Sequence, residues 1–326
     1  MKNLNFIGKI FGILSIITLL ICPIFAFGGD YPEKTIYLLI PYGPGGVTDL
    51  TGRCLADIAR EILGQPVIAI NKAGGGGVIA QSLTAKEKPD GYTLAITSDT
   101  AFTQIPQMRE VSYDPLNDFE FIIGHMQNPG GIVCRADKPW KSMKDLIAHS
   151  KQNPEKVSYG CAGAGGAAHI ATEFIMAKEA VKWRMVPFDG TAKLTPAILG
   201  GHVDIGCSDF PVWKSLLKAG ELRALAVEGI LKESYAGVPT FEELGYELPM
   251  GASFGIIAPK GTPRPIIKKL QDAFKKAMDD PRYISVCEKL GASKVYSSGE
   301  EYFKRIKEQY EVRGKILERL GMKKSK

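Results

Sequence analysis

No two cysteines in this sequence stand two residues apart, and no glycine is followed by the Lys-Ser/Thr of a phosphate-binding loop. The first absence excludes a CxxC zinc or thioredoxin-like motif, and the second a Walker loop. Histidine, cysteine and acidic residues nowhere cluster at ligand spacing, so no metal and no cofactor are expected. Short-period repeats and low-complexity tracts are missing as well. Beyond the first thirty residues no segment is apolar over the roughly 20 residues that a membrane span needs. One-sided charge is also scarce: 41 Lys and Arg against 35 Asp and Glu give +6 over 326 residues. The basic residues are spread over amphipathic segments, which reads as solvated helix faces and excludes a nucleic-acid surface.

What is present begins with the leader, "MKNLNFIGKIFGILSIITLLICPIFAFGGD". Lys2 and Lys9 flank the start of an apolar stretch over Ile10–Leu20, and no acid precedes Asp30. This is the pattern of a secretory signal peptide over residues 1–26, cleaved after Ala26; an uncleaved anchor is the alternative. Cys22 would suit lipidation only if a small residue preceded it, and Ile21 is large. The other five cysteines, Cys54, Cys134, Cys161, Cys207 and Cys287, are odd in number and widely spaced. At least one stays unpaired, and small buried hydrophobes are the expectation.

From Tyr31 the chain alternates short β-rich runs with helical stripes. "TIYLLIPY" ends at "GPGG", and Leu50, Leu55, Ile58 and Ile62 then mark a helix closed by Gly64. "PVIAI" and "YTLAITSD" continue the theme. It restarts with "GIVCRAD", a helix opened by Ser142 and Asp145, "KVSYGCAGAGG", "WRMVPF", "HVDIGCSD" and "LRALAV". Three helical runs close the chain. Such β-loop-α repetition predicts an α/β fold, each domain a mostly parallel sheet flanked by helices. Extended crossings near Phe119–His125 and Ala252–Pro259 predict two domains joined by two strands, 30–125 plus 252–326 and 126–251.

Four glycine-bearing loops fall between a strand and a helix: 41–49, 71–80, 160–169 and 187–194. In an open parallel sheet that is the carboxyl end of the strands, where ligands bind. Helix N-termini there present unpaired N–H groups and partial positive charge, which suits an anion. The candidate cleft segments 41–49, 98–100, 160–169 and 188–191 contain no Arg or Lys. Asp49, in a first helical turn, is read as complementing the helix dipole, with direct ligand contact as the alternative. His169 is read as packed or loop-bracing, with ligand or metal contact as the alternative. Asp209, after a strand, is placed to meet a ligand amine or hydroxyl. A Cys161–His169–Asp209 triad is disfavoured, because His169 follows Cys161 on the same loop.

"IPYGPGGVTD", "KPDGYTL", "YDPLNDFEFI", "YGCAGAGGAAH", "VPFDGTAKLTPAILGGHVDI", "GVPTFEELGY" and "APKGTP" occur in that order. Together they resemble the TctC/Bug-type extracytoplasmic solute receptors of tripartite tricarboxylate transporters. The resemblance implies a two-domain periplasmic-binding-protein fold (type II-like), no enzymatic activity, and a periplasmic monomer. It implies a small organic carboxylate as ligand, delivered to a membrane permease with a large and a small subunit. A ligand-sensing partner of a membrane signalling protein is the alternative, and a secreted hydrolase a third reading. By position the resemblance implies ligand contact from Tyr42, Gly45, Gly46, Thr48 and Asp49, and from Ser98, Asp99 and Thr100. The facing wall would hold Gly163, Ala164, Gly165, Gly166 and His169, then Phe188, Gly190, Thr191 and Asp209. Three departures concern the ligand: "CAGAGGAAH" lacks the usual hydroxyls, Ser253 stands where tryptophan is frequent, and "NKAGGGG" lacks the usual arginine.

The leader carries its own test. Mass spectrometry of periplasmic protein is expected to show a mature N-terminus near Phe27; an intact Met1 on protein confined to the cytosol would reject export.

Overall fold

The runs read as strands assemble into two separate sheets. The computed structural model describes residues 31–162, 165–188, 191–246 and 249–324; the leader and Cys22 lie outside them. Lys34–Lys326 hold together as one unit that contains both sheets. Among the described residues no helix is long and apolar enough to cross a membrane.

The first sheet contains β1 (Ile36–Ile40), β2 (Val67–Asn71), β3 (Thr93–Ser98), β4 (Phe119–Asn128), β10 (Ala252–Pro259) and β11 (Ser293–Ser298), in the order β11-β4-β10-β3-β1-β2. In the second, β5 (Gly130–Arg135), β6 (Ser158–Ala162), β7 (Arg184–Phe188), β8 (Ile205–Asp209) and β9 (Leu222–Val227) run in the order β7-β6-β8-β5-β9. The two share a plan. In each, the first strand of a β-loop-α series lies in the middle with two parallel neighbours, β2 and β3 around β1, β7 and β8 around β6. The other pairings between these eleven strands are antiparallel. The sheets are therefore mixed, where the sequence predicts mostly parallel ones. The β-loop-α repeat sets strand direction only inside a series, and strands such as β4, β5 and β10 take theirs from the passage between lobes.

The helix Val47–Leu63 shows how packing shifts a face. Leu50 and Ile62, expected inside, are each 39% exposed, while Thr51, Leu55, Ile58 and Ala59 are buried. Gly52 makes that face possible, because a Cβ there would lie 2.5 Å from Ile96 Cδ1. Gly64 closes the helix as expected, left-handed at φ 71° and donating its N–H to Arg60. Ser142 caps the helix Met143–Gln152 by accepting from the Asp145 amide, but Asp145 reaches back to the Lys141 amide instead of completing a capping box. Of the cysteines, Cys134, Cys161, Cys207 and Cys287 are buried thiols and Cys54 is half-buried.

The chain leaves the first sheet through β4 and returns through β10, and these two strands pair with each other from Ala252↔Asn128 to Pro259↔Phe119. Next to that pairing, Gly130 and Gly251 pack back to back: a Cβ on Gly251 would lie 2.1 Å from Asn128 O and 2.7 Å from Gly130 N. The Glu228 carboxylate accepts from the Gly251 amide and the Glu228 N–H donates to Gly130 O at 3.1 Å, while burial pushes its carboxyl up to about 7. One helix spans both cores. Gly299–Arg319 starts at a capping box of Ser298 and Glu301. Its Tyr302 and Ile306 pack in the first lobe, whereas Ile316 and Leu317 join the core built on the second sheet.

Gly251→Ala is expected to destabilise the protein by roughly 1–3 kcal/mol, the usual range for overpacking. Urea denaturation measures it, and an unchanged midpoint would contradict the close packing of the two crossings.

Candidate functional site

In each sheet the chain passes from one side of its first strand to the other between the second and third strands of the series. A crevice opens at the carboxyl end of such a switch point, between β1 and β3 and again between β6 and β8. The loops that leave those ends meet around one cavity of about 870 Å³.

Both loops end in the same backbone device. Gly45 and Gly165 are left-handed, at φ 82° and 78°. Each is followed by a glycine in extended backbone that starts a helix, Gly46 before Val47–Leu63 and Gly166 before Ala167–Glu179. Neither Gly46 nor Gly166 offers a side-chain cap. The first-turn N–H groups therefore keep their partial positive charge for whatever occupies the cavity.

A side chain four residues after each left-handed glycine braces its loop. The Gly45 amide donates to Asp49 Oδ2 at 2.9 Å, and the Gly165 amide donates to His169 Nδ1 at 2.9 Å. Asp49 is 3% exposed and also accepts from Arg53 Nε at 2.9 Å and Asn71 Nδ2 at 2.8 Å. Burial would raise its pKa, but the Gly45, Asn71 and Arg53 donors outweigh that and hold it below the usual aspartate value. His169, accepting at Nδ1, carries its hydrogen on Nε2, which faces Glu173 Oε1 at 3.6 Å. Glu173 in turn accepts from the Tyr159 hydroxyl at 2.7 Å.

The candidates thus divide into two groups. Tyr42, Gly46, Thr48 and Thr100 line the first wall of the cavity. Gly165, Gly166, Phe188 and Asp209 line the opposite one. Gly45, Asp49, Ser98, Asp99, His169 and Thr191 stand behind these walls. Ser98 Oγ accepts from Tyr42 at 3.1 Å and from the Ala101 amide at 3.3 Å. Asp99, buried, accepts from Arg313 at 3.2 Å, and Arg313 also donates to Gln104 Oε1 at 2.8 Å. Gln104 Nε2 donates across the cleft to the carbonyl of Gly165, joining the walls. The Thr191 and Ser208 hydroxyls bond each other at 2.8 Å, and Thr191 lies 3.4 Å from Asp209 Oδ2. Burial pushes the Asp209 carboxyl up to about 6 against the lowering effect of Thr191. Gly163, Ala164 and Gly190 fall outside the described residues.

Several lining residues escaped the sequence. Asn128, Met250, Ala252 and Phe254 belong to the crossings and reach the cavity because β4 and β10 run past it. Arg109 supplies a cation at the wall, although the segments 41–49, 98–100, 160–169 and 188–191 carry none; its guanidinium donates to Gly75 O at 2.7 Å. No periodicity marks Arg109, and the local signal for Asn128 was its position where the chain crosses between domains. Cys161 is fully buried, and burial first, with Glu173 second, pushes its thiol up to about 11. That is the opposite of what a nucleophile needs.

The family model described as the tripartite tricarboxylate transporter family receptor matches residues 51–322. A UPF0065 protein of the gbd 5′ region of Cupriavidus necator is 37% identical over 304 residues, covering 93% of this chain and 92% of the relative. A TctC solute-binding protein from Polaromonas superposes with a TM-score of 0.79 at 28% identity, covering 89% of this chain and 99% of that one. The R. palustris protein Rpa4515, solved with adipate, superposes with a TM-score of 0.76 at 28% identity, covering 90% of this chain and 99% of that one.

The brace at Asp49 is testable through pH. A carboxyl held below its ordinary value stabilises the fold above that value, and the contribution is lost as pH falls through the folded pKa. Asp49→Ala is expected to cost roughly 1.5–3 kcal/mol at neutral pH. The gap to the parent should shrink below about pH 3.9. Urea unfolding of both proteins at the two pH values checks this; a gap that stays constant would reject an ionised brace.

Proposed function

The chain belongs to the tripartite tricarboxylate transporter receptor family, and from that premise we propose that it captures a small organic carboxylate between its lobes and delivers it to a tripartite membrane permease. It is a solute receptor and not an enzyme. The permease partner, with a large and a small subunit, and removal of residues 1–26 on export to the periplasm are parts of the same proposal. So are the lobe limits, 30–125 plus 252–326 and 126–251, and the contacts at Tyr42, Gly46, Thr48, Thr100, Gly165, Gly166 and Phe188.

The observation that carries this reading is the pair of uncapped helix N-termini, after Gly46 and Gly166, facing one cavity. Each end stabilises an exposed negative charge by roughly 0.3–1 kcal/mol, and up to about 2 kcal/mol when partly buried. Hydrogen bonds to a charged carboxylate add roughly 1.5–3 kcal/mol each. Two ends and a few such bonds support micromolar affinity, about −8 kcal/mol, after association costs. The adipate in the R. palustris relative supports a carboxylate as the class.

Filling the space over the amides provides the test. Gly46 has φ −79°, and a Cβ there would meet only Gly43 O at 3.9 Å, so Gly46→Val fits the backbone. Gly166 has φ −77°, a backbone angle that valine also adopts. Protein unfolded and refolded to remove bound ligand should bind carboxylates in calorimetry and not their primary amides. Gly46→Val and Gly166→Val should each weaken binding at least about tenfold with circular dichroism unchanged. If both bind like the parent, the carboxylate is held elsewhere.

A further inference from the structure

Acids around this site are matched, with one exception. Asp49 has Arg53, Asn71 and the Gly45 amide; Asp99 has Arg313; Glu173 has Tyr159 and His169; Asp204 has Lys138 and Ser158. Asp209 stands in the cavity wall with one weak hydroxyl contact, Thr191 at 3.4 Å, and no cation among the described residues. Thr191 and Ser208 also bond each other at 2.8 Å, and with Ser208 as donor the Thr191 hydrogen is left for that long contact to Asp209. Arg109, the guanidinium of the lining, is held by the Gly75 carbonyl on the other lobe and makes no ion pair with Asp209. The neutral Tyr42 phenol lines the same cavity and donates to Ser98 Oγ at 3.1 Å.

A carboxylate taken partly out of water without a partner is costly, and its raised pKa records that cost. The same cavity holds two helix N-termini that favour negative charge. A ligand made only of carboxylates would set like charge against Asp209, which weakens binding. A ligand carrying both signs resolves the conflict.

We propose that the ligand is an amino carboxylate, whose carboxylate lies over the Gly46 and Gly166 helix N-termini and whose ammonium pairs with Asp209. This rests on the reading of the cavity as a carboxylate receptor. It assigns Asp209 the choice among carboxylates, because Asp209 offers an acceptor that only a donor group on the ligand can satisfy, and a cationic donor best.

Matched triads test it. L-Aspartate, L-malate and succinate share one skeleton and differ only in ammonium, hydroxyl or hydrogen at one carbon. L-Glutamate, 2-hydroxyglutarate and glutarate do the same, as do L-phenylalanine, phenyllactate and 3-phenylpropionate. Calorimetry on refolded full-length mature protein should show, in at least one triad, the amino acid bound about tenfold or more tighter than both analogues. Asp209→Asn, nearly isosteric, should bring that ratio close to one while thermal unfolding stays near that of the parent. Equal binding of the hydroxy acid, or an amine preference that survives Asp209→Asn, overturns the inference and leaves the carboxylate receptor standing. Failure of every compound to bind the parent overturns both.

Discussion

Two helix N-termini that nothing in their own sequence caps set the terms for the rest of this protein. The first-turn amides of a helix have no acceptor within the helix, so a cap, water or a ligand must supply one. At Gly46 and Gly166 the chain supplies none, and the lobes aim both ends into the same cavity. The braces behind them keep the amides presented. Left-handed Gly45 and Gly165 turn their own N–H groups inward, onto Asp49 and His169, which frees the next amides to face outward.

The two braces have one geometry and different chemistry. On the first lobe the acceptor is an ionised carboxylate that also gathers Arg53 and Asn71, so its charge is spent inside the wall. On the second it is a ring nitrogen, tied through Glu173 to Tyr159 on β6. A longer chain of contacts couples the walls: Arg313 on the last helix neutralises Asp99 and orients Gln104, and Gln104 holds the Gly165 carbonyl across the cleft. Breaking a buried pair of that kind leaves one charge uncompensated, which is why Arg313 matters to the site without touching it.

The two crossings between the sheets are tied at one place. The chain passes between the sheets at Gly130 and Gly251, two residues without side chains in van der Waals contact, with Glu228 bonded to the Gly251 amide through its carboxylate and to the Gly130 carbonyl through its N–H. Glycine is required there for space, since neither φ is left-handed. The last helix adds a third tie by burying Tyr302 in one core and Leu317 in the other.

The sequence by itself determined the alternation of strands and helices, the crossings, the glycine loops and the family to which they belong. These features are written in local periodicity and in residues with special backbone freedom, which neighbours along the chain reveal. It also indicated that helices follow the glycine loops 41–49 and 160–169. Tertiary structure decided which residues reach the cavity and which support them. Ser98 and Asp99 are among the contacts that the resemblance implies, and their polar atoms are engaged with Tyr42 and Arg313, while Asp49 and His169, read along the chain first as dipole complement and loop brace, hold the Gly45 and Gly165 amides. Arg109 carries no local mark and still lines the site. The direction of β4, β5 and β10, and the buried face of Val47–Leu63, were likewise fixed by packing. The reason is physical: a backbone turn depends on a few consecutive residues, whereas burial, pairing of charges and access to a cleft depend on surfaces brought together from distant parts of the chain.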